Sequence, residues 1–489
     1  MQRQKIFFNS CLHYSIYFIC AVIFSYMLDF TMPDDGLRHL SFAANNEVMQ
    51  SWGNVYPHSL FGEYDPWFGW HYFLKSLLLF LPYEQLHIVI NIISLFFLML
   101  LLDAHIRKIS QYNFSSLLYI MVFIIVMLTS YRYVMVRPDL LSGLYIMSAL
   151  LLRNRFFPIF ILTLLYGPFY YLFFMYTGSI GLVYLVQQKW KAFLGVFLGS
   201  LGVLVFFLLH NKDGYITTVL NILNDQKLRM GLEVTEGEAI FSLFKNMDYF
   251  ILLPIFFIFS FALIKYKYKY FKENALPLFL IITSILWINQ YRYYHLFMPL
   301  IFSFIFVSIV NMDKKRFLYN IRKYMIIGKR YFDYSKTKAL FYVIAIPYSI
   351  GMLAYIFSSQ SLNTSMKEAT IYKEEFFQNK TMLLNKMDTE MFRAHYYNPT
   401  LKIVPSCSIG WFEDNKEMKN IYIRLQSSDK TITEEELRKL IDYIGADIYI
   451  HFFIGNEQIF NIEKLSKLGI IPNQINKNKI IFTIKKKNE

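Results

Sequence analysis

Two adjacent carboxylates near the start of this 489-residue chain are the first residues whose type and spacing could do chemistry. Asp34 and Asp35 lie in a polar run that also contains Arg38. Neighbouring carboxylates raise each other's pKa unless a cation neutralises them, which suits a general base or a metal ligand. Helix capping is the alternative, because an aspartate that precedes an amphipathic helix accepts hydrogen bonds from its first N–H groups.

A carboxylate and an imidazole six positions apart form the second cluster. Asp65 and His71 lie among aromatic residues, and Trp67 and Trp70 have the character of anchors at a membrane surface. Asp65 and His71 are therefore candidate site residues. For Asp65, the structural alternative is capping of a helix over residues 66–82.

Arginines at two predicted external helix ends form the third cluster. Arg137 precedes Pro138 and Asp139, and Arg292 comes three positions before His295. A guanidinium at such an end can bind a phosphate through two parallel hydrogen bonds. Snorkelling of the arginines toward lipid headgroups is the alternative interpretation.

The composition indicates what kind of protein must position these residues. Hydrophobic residues make up 55% of the chain and charged residues only 17%, which is more apolar surface than one soluble core can bury. The net charge is +14, but the basic residues lie in short clusters between apolar runs. That spacing is typical of cytoplasmic loops and not of a nucleic-acid surface. We therefore predict an integral membrane protein surrounded by membrane lipids, with no nucleic-acid partner.

The apolar runs and basic clusters predict an all-α polytopic membrane protein with about 11 to 12 transmembrane helices. Arg3 and Lys5 precede the first apolar run, so we expect a cytoplasmic N-terminus, and the span count then makes the C-terminal domain extracytoplasmic. The membrane that we expect is a bacterial inner membrane. External loops are predicted over residues 29–85 and 210–247.

Two stretches leave the number of spans open. The apolar run before Lys189 must cross twice, with a break near Tyr166-Gly167-Pro168 or near Tyr176-Thr177-Gly178. Residues 68–82 are either a short additional span or an amphipathic helix that lies at the interface.

The composition changes at residue 359, which divides the chain into a membrane domain (1–358) and a soluble domain (359–489). Thr433, followed three residues later by Glu436, predicts a capped helix. Residues 446–453 and 479–484 have the pattern of strands. The soluble domain is therefore predicted to be a small α/β or α+β domain.

In their order along the chain, the polar clusters resemble the motifs of the GT-C superfamily of membrane glycosyltransferases, particularly the aminoarabinose-transferase and protein-mannosyltransferase branches. Residues 34–39 are similar to the acidic pair, followed by Arg-Tyr, that opens the first external loop of those enzymes, with one extra residue here. Residues 65–71 occupy the place of a Pro-Pro-Leu-Tyr-Tyr-Trp-like segment, although the second Pro is missing. Two later elements also match, namely Arg137-Pro138-Asp139 and Arg292-Tyr293 with Pro299.

The resemblance implies a bundle of membrane helices that transfers a sugar, with inversion, from a polyprenyl-phosphate carrier to a lipid or glycan acceptor. It implies Asp35 as the base, with Asp34 as the competing choice and Asp65 as a further catalytic candidate. The implied substrate-binding residues are Arg137, Asp139, Arg292, His295, His71 and Arg38. No cofactor is expected, because the sequence has no Gly-rich phosphate loop, and the adjacent acidic pair predicts transfer without a metal.

Two other functions stay open. A transporter or flippase for lipid-linked sugars would be expected to show internal pseudo-symmetry and ionisable residues at mid-membrane, and the sequence displays neither. An O-antigen-type polymerase or ligase would place its functional Arg and His in a large late external loop. The loop over 210–247, which contains Lys227, Arg229 and Glu233, keeps that alternative open.

Overall fold

A computed structural model of the chain describes residues 2–27, 35–44, 64–110, 119, 122–123, 125–126, 133, 136–152, 154–229, 299–300, 303, 369–385, 389–404, 412, 415–426, 432–452, 460–475 and 479–486. The chain forms two compact units. The helical unit comprises Met1–Thr31, His87–Val205 and Leu232–Ser361. The sheet unit comprises Met32–Leu86, Phe206–Gly231 and Leu362–Glu489.

Helices account for most of the described residues before residue 230. They are α1 (Gln2–Met27), α2 (Asp35–Ala44), α3 (Phe68–Leu78), α4 (Tyr83–Ser110), α5 (Asp139–Leu151), α6 (Phe156–Tyr166), α7 (Phe173–Val186) and α8 (Trp190–Arg229). Two stretches, Tyr83–Lys108 and Trp190–Thr217, are long and apolar enough to cross a membrane, and four shorter helices are also apolar. These helices support the membrane character of the chain. The number of spans stays a prediction, because the runs expected at 248–264, 276–288 and 339–357 lie outside the described residues.

The break in the long apolar run occurs at the first of the two predicted places. A 3₁₀ turn over Gly167–Phe169 follows α6, with Pro168 near its start, and Tyr170 is extended. A Cβ on Gly167 would lie 2.3 Å from the Val203 side chain, so the turn and α8 approach too closely for any larger residue. The expectation of two short helices separated at Tyr166-Gly167-Pro168 is therefore confirmed.

Glycines also let α6 and α8 pack with their backbones close together. A Cβ on Gly195 would lie 2.7 Å from the carbonyl oxygen of Phe156, and a Cβ on Gly199 would lie 2.7 Å from the Cβ of Thr163. Small residues four positions apart produce this close crossing in lipid, where burial of apolar side chains gives little driving force between helices.

Two elements differ from the boundaries that the sequence predicts. Helix α3 has 11 residues, about 16 Å at 1.5 Å per residue, so its length favours the interfacial alternative for residues 68–82. Helix α8 continues to Arg229, although a loop was expected from residue 210. Asn211 is the non-helical point in α8, and its Oδ1 accepts the N–H of Gly214, which caps the helical segment that follows.

The C-terminal part of the sheet unit contains a five-stranded sheet in the order β2-β1-β3-β5-β4. The strands are β1 (Thr381–Leu384), β2 (Lys402–Val404), β3 (Ile448–Phe452), β4 (Ile470–Ile475) and β5 (Lys479–Ile484). Strands β2, β1 and β3 are parallel, and β5 pairs antiparallel with both β3 and β4. The helices between them are α9 (Thr389–Tyr397), α10 (Lys416–Gln426), α11 (Glu434–Ile444) and α12 (Ile462–Lys467).

Local signals explain why α11 begins and ends where it does. The Thr433 side chain accepts the N–H of Glu436, and the Glu436 carboxylate accepts the N–H of Thr433, which completes a capping box. Gly445 ends α11 in the left-handed region at a φ of 70°. The predicted helix, the two predicted strands and the small C-terminal sheet are confirmed. The domain boundary at residue 358 stays a prediction.

Candidate active site

Three side chains of the sheet unit form one hydrogen-bonded chain, which we call the relay. The Oδ2 atom of Asp65 lies 2.6 Å from Nδ1 of His71, and Nε2 of His71 lies 2.8 Å from Nδ1 of His39. The two imidazoles are almost inaccessible, with His39 2% and His71 0% exposed. Burial of this kind fixes the orientation of polar groups and strengthens the hydrogen bonds between them.

The local folding of residues 64–78 explains how Asp65 reaches His71. The Oδ1 atom of Asp65 accepts the N–H of Trp67 at 2.9 Å, which turns the chain into α3. One turn into α3, His71 lies between Phe68 and Leu74 on the buried face of that helix. Asp65 therefore holds the turn before α3 without being the cap of that helix, and it also contacts His71; its catalytic role stays a prediction.

The order of hydrogen bonds determines where the relay can take up a proton. When Asp65 is ionised, it accepts the Nδ1–H of His71, and Nε2 of His71 then accepts the Nδ1–H of His39. In this arrangement, Nε2 of His39 carries the lone pair through which the relay can accept a proton. A histidine oriented by a carboxylate can act as a general base, because the carboxylate stabilises the positive charge that develops on the imidazole.

Two further polar side chains adjoin the relay. The Arg38 guanidinium carbon lies 5.8 Å from the ring centroid of Trp67, which in turn makes an edge-on contact with His39. Tyr64 is 4% exposed, and within the described part of the chain its hydroxyl has no hydrogen-bond partner. Burial first, and then the charge of Asp65, raise the pKa of Tyr64, so its hydroxyl keeps its proton and can donate a hydrogen bond.

The C-terminal part of the sheet unit packs against α2. Phe42 belongs to the same buried apolar cluster as the strands of the sheet, and its ring centroid lies 4.3 Å from that of His71. The Tyr83 hydroxyl donates to the Tyr396 carbonyl at 2.9 Å and lies 3.3 Å from the Ser41 hydroxyl. This packing could not be predicted from the sequence, because it joins residues more than 300 positions apart.

Helix α9 also places a buried histidine near α2. Burial lowers the pKa of His395 to about 3, and the positive charge of Arg38 acts in the same direction, whereas a hydrogen bond to the Pro399 backbone opposes it. His395 is therefore neutral at physiological pH. A neutral side chain at this position lets Arg38 be buried without a second positive charge beside it.

The structure brings together three residues that the sequence singled out. Asp65, His71 and Arg38 all lie in the α2–α3 region of the sheet unit. His39, which completes the relay, was missed, because nothing in its local sequence distinguishes it from an ordinary core histidine. Helix α2 begins at Asp35, one turn before His39 on the same helical face, and the Asp35 side chain lies outside the described set.

The other predicted site residues are not part of this cluster as described. Arg137 is half-buried at the start of α5 in the helical unit, and Asp139 is the first residue of that helix. Asp34, Arg292 and His295 lie outside the described residues. Their predicted roles stay predictions.

The described residues contain no group of three or more His, Cys, Asp or Glu side chains that could hold a metal ion. Asp65, His71 and His39 are joined directly to one another by hydrogen bonds, with the His71 ring nitrogens both engaged. The arrangement is thus suited to moving a proton. Metal-independent transfer stays a prediction.

A second buried carboxylate belongs to the helical unit and has a different environment. Asp103 of α4 accepts hydrogen bonds from the Tyr17 hydroxyl at 3.0 Å and from Nε of Arg107 at 2.8 Å. Nε2 of His13 lies 3.3 Å from the same carboxylate, and the other ring nitrogen of His13 contacts the Tyr119 hydroxyl. These contacts hold α1 and α4 together.

Comparison with solved structures identifies the fold. The chain is similar to the archaeal oligosaccharyltransferase AglB from Archaeoglobus fulgidus in complex with an inhibitory peptide and a dolichol-phosphate, with a TM-score of 0.52 and 11% identity. That match covers 90% of this chain and 69% of the other. A second structure of the Archaeoglobus fulgidus oligosaccharyltransferase, in complex with Zn and sulfate, gives a TM-score of 0.50 and 12% identity, with coverage of 89% and 68%.

No protein-family model and no curated protein sequence matches the chain. At 11–12% identity, the structural similarity shows a shared fold and not a shared activity. The fold of these oligosaccharyltransferases is GT-C, so the similarity supports the GT-C resemblance of the sequence at the level of architecture, without indicating a particular branch.

Proposed function

We propose that this chain is a membrane glycosyltransferase that takes a sugar from a polyprenyl-phosphate carrier and transfers it to a lipid or glycan hydroxyl. The observation that carries the proposal is the Asp65–His71–His39 relay in a chain that has an oligosaccharyltransferase-like fold. The reaction would take place at the external face of a bacterial inner membrane, with a cytoplasmic N-terminus. A dolichol-phosphate in one of the similar structures supports a lipid-phosphate partner.

The proposed reaction is one inverting substitution. The acceptor oxygen attacks the anomeric carbon, the bond from that carbon to the phosphate oxygen breaks, and the electron pair leaves with the polyprenyl phosphate. The acceptor proton goes to the Asp35 carboxylate, with Asp34 as the competing base. His39 lies one helical turn after Asp35, so the relay can remove that proton and restore the base.

The basic side chains have separate roles in this scheme. Arg137 and Arg292 would stabilise the charge that develops on the departing phosphate, with Asp139 and His295 beside them in sequence. Arg38 would hold an anionic or hydroxyl group of the substrate near the relay. Because lipid phosphate is already a good leaving group, the scheme needs no nucleotide and no cofactor.

The test is a transfer assay on purified protein in liposomes. The donors are a panel of polyprenyl phosphates that carry a radiolabelled hexose, aminohexose or aminoarabinose, and an extract of bacterial membranes supplies the acceptors. Wild type should move label from at least one donor to a new product. Asp35→Asn should accumulate normally and lose about 10²-fold in rate, since it loses the base but keeps the size of the side chain.

A matched control removes a carboxylate elsewhere. Glu417→Gln loses a solvent-exposed ion pair between α10 and Lys439 of α11 and should transfer at the wild-type rate. If only Asp34→Asn is inactive, the base is Asp34. Label that stays on every donor would contradict the proposal, and label that crosses the bilayer while still on its carrier would indicate a flippase.

A further inference from the structure

Arg107 lies in the last turn of α4, where the predicted topology places the cytoplasmic surface of the membrane. Its Nε donates to Oδ2 of Asp103 at 2.8 Å, one turn earlier in the helix. The Asp103 carboxylate is held in turn by the Tyr17 hydroxyl and by His13. A guanidinium has five N–H donors in one plane, so this contact uses one donor and fixes the direction of the other four.

The rest of the Arg107 guanidinium is open to a ligand. Within the described part of the chain, Arg107 forms its hydrogen bond with Asp103 alone, and its side chain is 38% exposed. The neighbouring cation differs, because Nζ of Lys108 donates to the Leu150 carbonyl at 2.7 Å, at the end of α5. One cation therefore holds a helix end, whereas the other is oriented by a carboxylate and remains accessible.

An apolar seam between α1 and α4 leads to this guanidinium. The rings of Phe18 and Phe96 lie 5.9 Å apart across the seam. The earlier His13 of α1 contacts the later Asp103 of α4, so the two helices run antiparallel. Phe96 and Arg107 are eleven residues apart, which places them within about 20° of each other around α4 and about 16 Å apart along it. Both therefore lie on the α4 border of the seam.

The α1 and α4 borders of the seam are exposed on the same side of the helix pair. In each helix the residue after the contacting phenylalanine is exposed, namely Ile19 and Phe97. The residue before it is buried in each helix, namely Tyr17 and Leu95. In an antiparallel pair, equal rotations from the line of contact lead to one side of the pair. Since Phe18 is itself 51% exposed, the seam presents an accessible apolar surface with a cation at one end.

We propose that the seam binds one anionic phospholipid of the cytoplasmic leaflet, with the lipid phosphate at Arg107 and an acyl chain against Phe18. A guanidinium binds a phosphate through two parallel hydrogen bonds. Half of the hydrocarbon core of a bilayer is about 15 Å thick, which matches the length of α4 between Arg107 and Phe96. Lys108 adds a positive charge beside the site, which favours an anionic headgroup. This binding does not depend on sugar transfer.

Native mass spectrometry of the full chain, stripped of lipid in detergent, can measure this binding. The probes are dioleoylphosphatidylglycerol, dioleoylglycerol, which lacks the phosphate, and inorganic phosphate. Wild type should bind one phosphatidylglycerol about 10-fold or more tightly than dioleoylglycerol, because only the former makes charge-assisted hydrogen bonds. Arg107→Gln should remove this preference. Arg107→Lys should restore only part of it, because an ammonium lacks the planar fork that can bind Asp103 and a phosphate together.

Arg155→Gln is the matched control, because it removes an exposed guanidinium from another predicted cytoplasmic turn and should bind both lipids as wild type does. Phe18→Ala keeps the guanidinium and should weaken both lipids by about threefold or more. Equal weakening by Arg107→Gln and Arg155→Gln would show general attraction to basic loops. Equal binding of the two lipids by wild type would show that the phosphate is not recognised, and displacement of the lipid by millimolar inorganic phosphate would show a site for a soluble ion. Each of these three results would overturn the lipid site.

Discussion

Among the described residues, Asp65 in the sheet unit and Asp103 in the helical unit are both largely shielded carboxylates that contact a histidine, but they differ in what lies beyond it. The Asp103 carboxylate contacts Tyr17, His13 and Arg107, so these neighbours balance its negative charge locally. Asp65 orients one imidazole, which contacts a second. The same residue types therefore hold two helices together in one place and, in the proposed mechanism, conduct a proton in the other.

The largest effect is expected from Asp65→Asn. An amide at this position can donate to His71 and reverse its tautomer, so the lone pair no longer reaches Nε2 of His39. We expect transfer to fall by about 10²- to 10⁴-fold while the protein accumulates and stays folded. Initial rates in the liposome assay, with the amount of folded protein measured by gel filtration, would test this. A wild-type rate would remove Asp65 from the mechanism.

Phe42→Ala should affect both stability and transfer. Phe42 is fully buried between the C-terminal sheet and His71, so its loss leaves a cavity that costs about 3–5 kcal/mol. Because His71 then loses a packing partner, transfer by the protein that remains folded should fall about tenfold. Phe42→Leu should restore most of the stability and most of the transfer rate. Transfer by folded Phe42→Ala at the wild-type rate would show that this contact is structural only.

Asp103→Asn should lower stability but leave transfer unchanged, which is the opposite of the effect of Asp65→Asn. The variant loses charge-assisted hydrogen bonds that join α1 to α4, but Arg107 is 38% exposed and can turn to water. The free energy of unfolding should therefore fall by about 1–3 kcal/mol, seen as a lower melting temperature in detergent. The transfer rate per folded molecule should not change. A loss of transfer equal to that of Asp65→Asn would erase the distinction between the two carboxylates.

The smallest effect concerns pH and His395. Burial lowers the pKa of His395 to about 3, so as pH falls below about 6.5 the unfolded chain takes up a proton that the folded chain refuses. The stabilising effect is complete above pH 6.5 and is lost progressively toward pH 3, with about 2 kcal/mol lost by pH 5. Melting temperatures at pH 7 and pH 5 should differ less in His395→Gln than in wild type. The exposed His210, changed to Gln, is the control, and an equal change in both variants would contradict the assignment.

Local signals made part of this molecule predictable from its sequence. The capping pair Thr433 and Glu436 identifies the start of α11, and Gly167-Pro168 marks the break between two apolar helices. Asp65 and His71 could be found together because one short segment contains both. In each case the residues that interact are close in sequence, so the pattern and the contact coincide.

Other features depend on contacts that no local pattern encodes. His39 joins the relay only because α2 packs on α3, across residues 45–63 that separate them in sequence. Phe42 lies in a core built largely from residues beyond 370. Helix α8 extends past residue 210 because Asn211 caps a new segment where its polarity suggested a loop.

A double-mutant cycle tests most directly whether the relay acts as one unit. The transfer rates of Asp65→Asn, His39→Gln and the double variant are measured in the same liposomes and divided by the amount of folded protein. If Asp65 works through His71 and His39, each single change already interrupts the relay, so the double variant should be no slower than the slower single variant. Losses that multiply in the double variant would show that the two residues act independently and would contradict the relay.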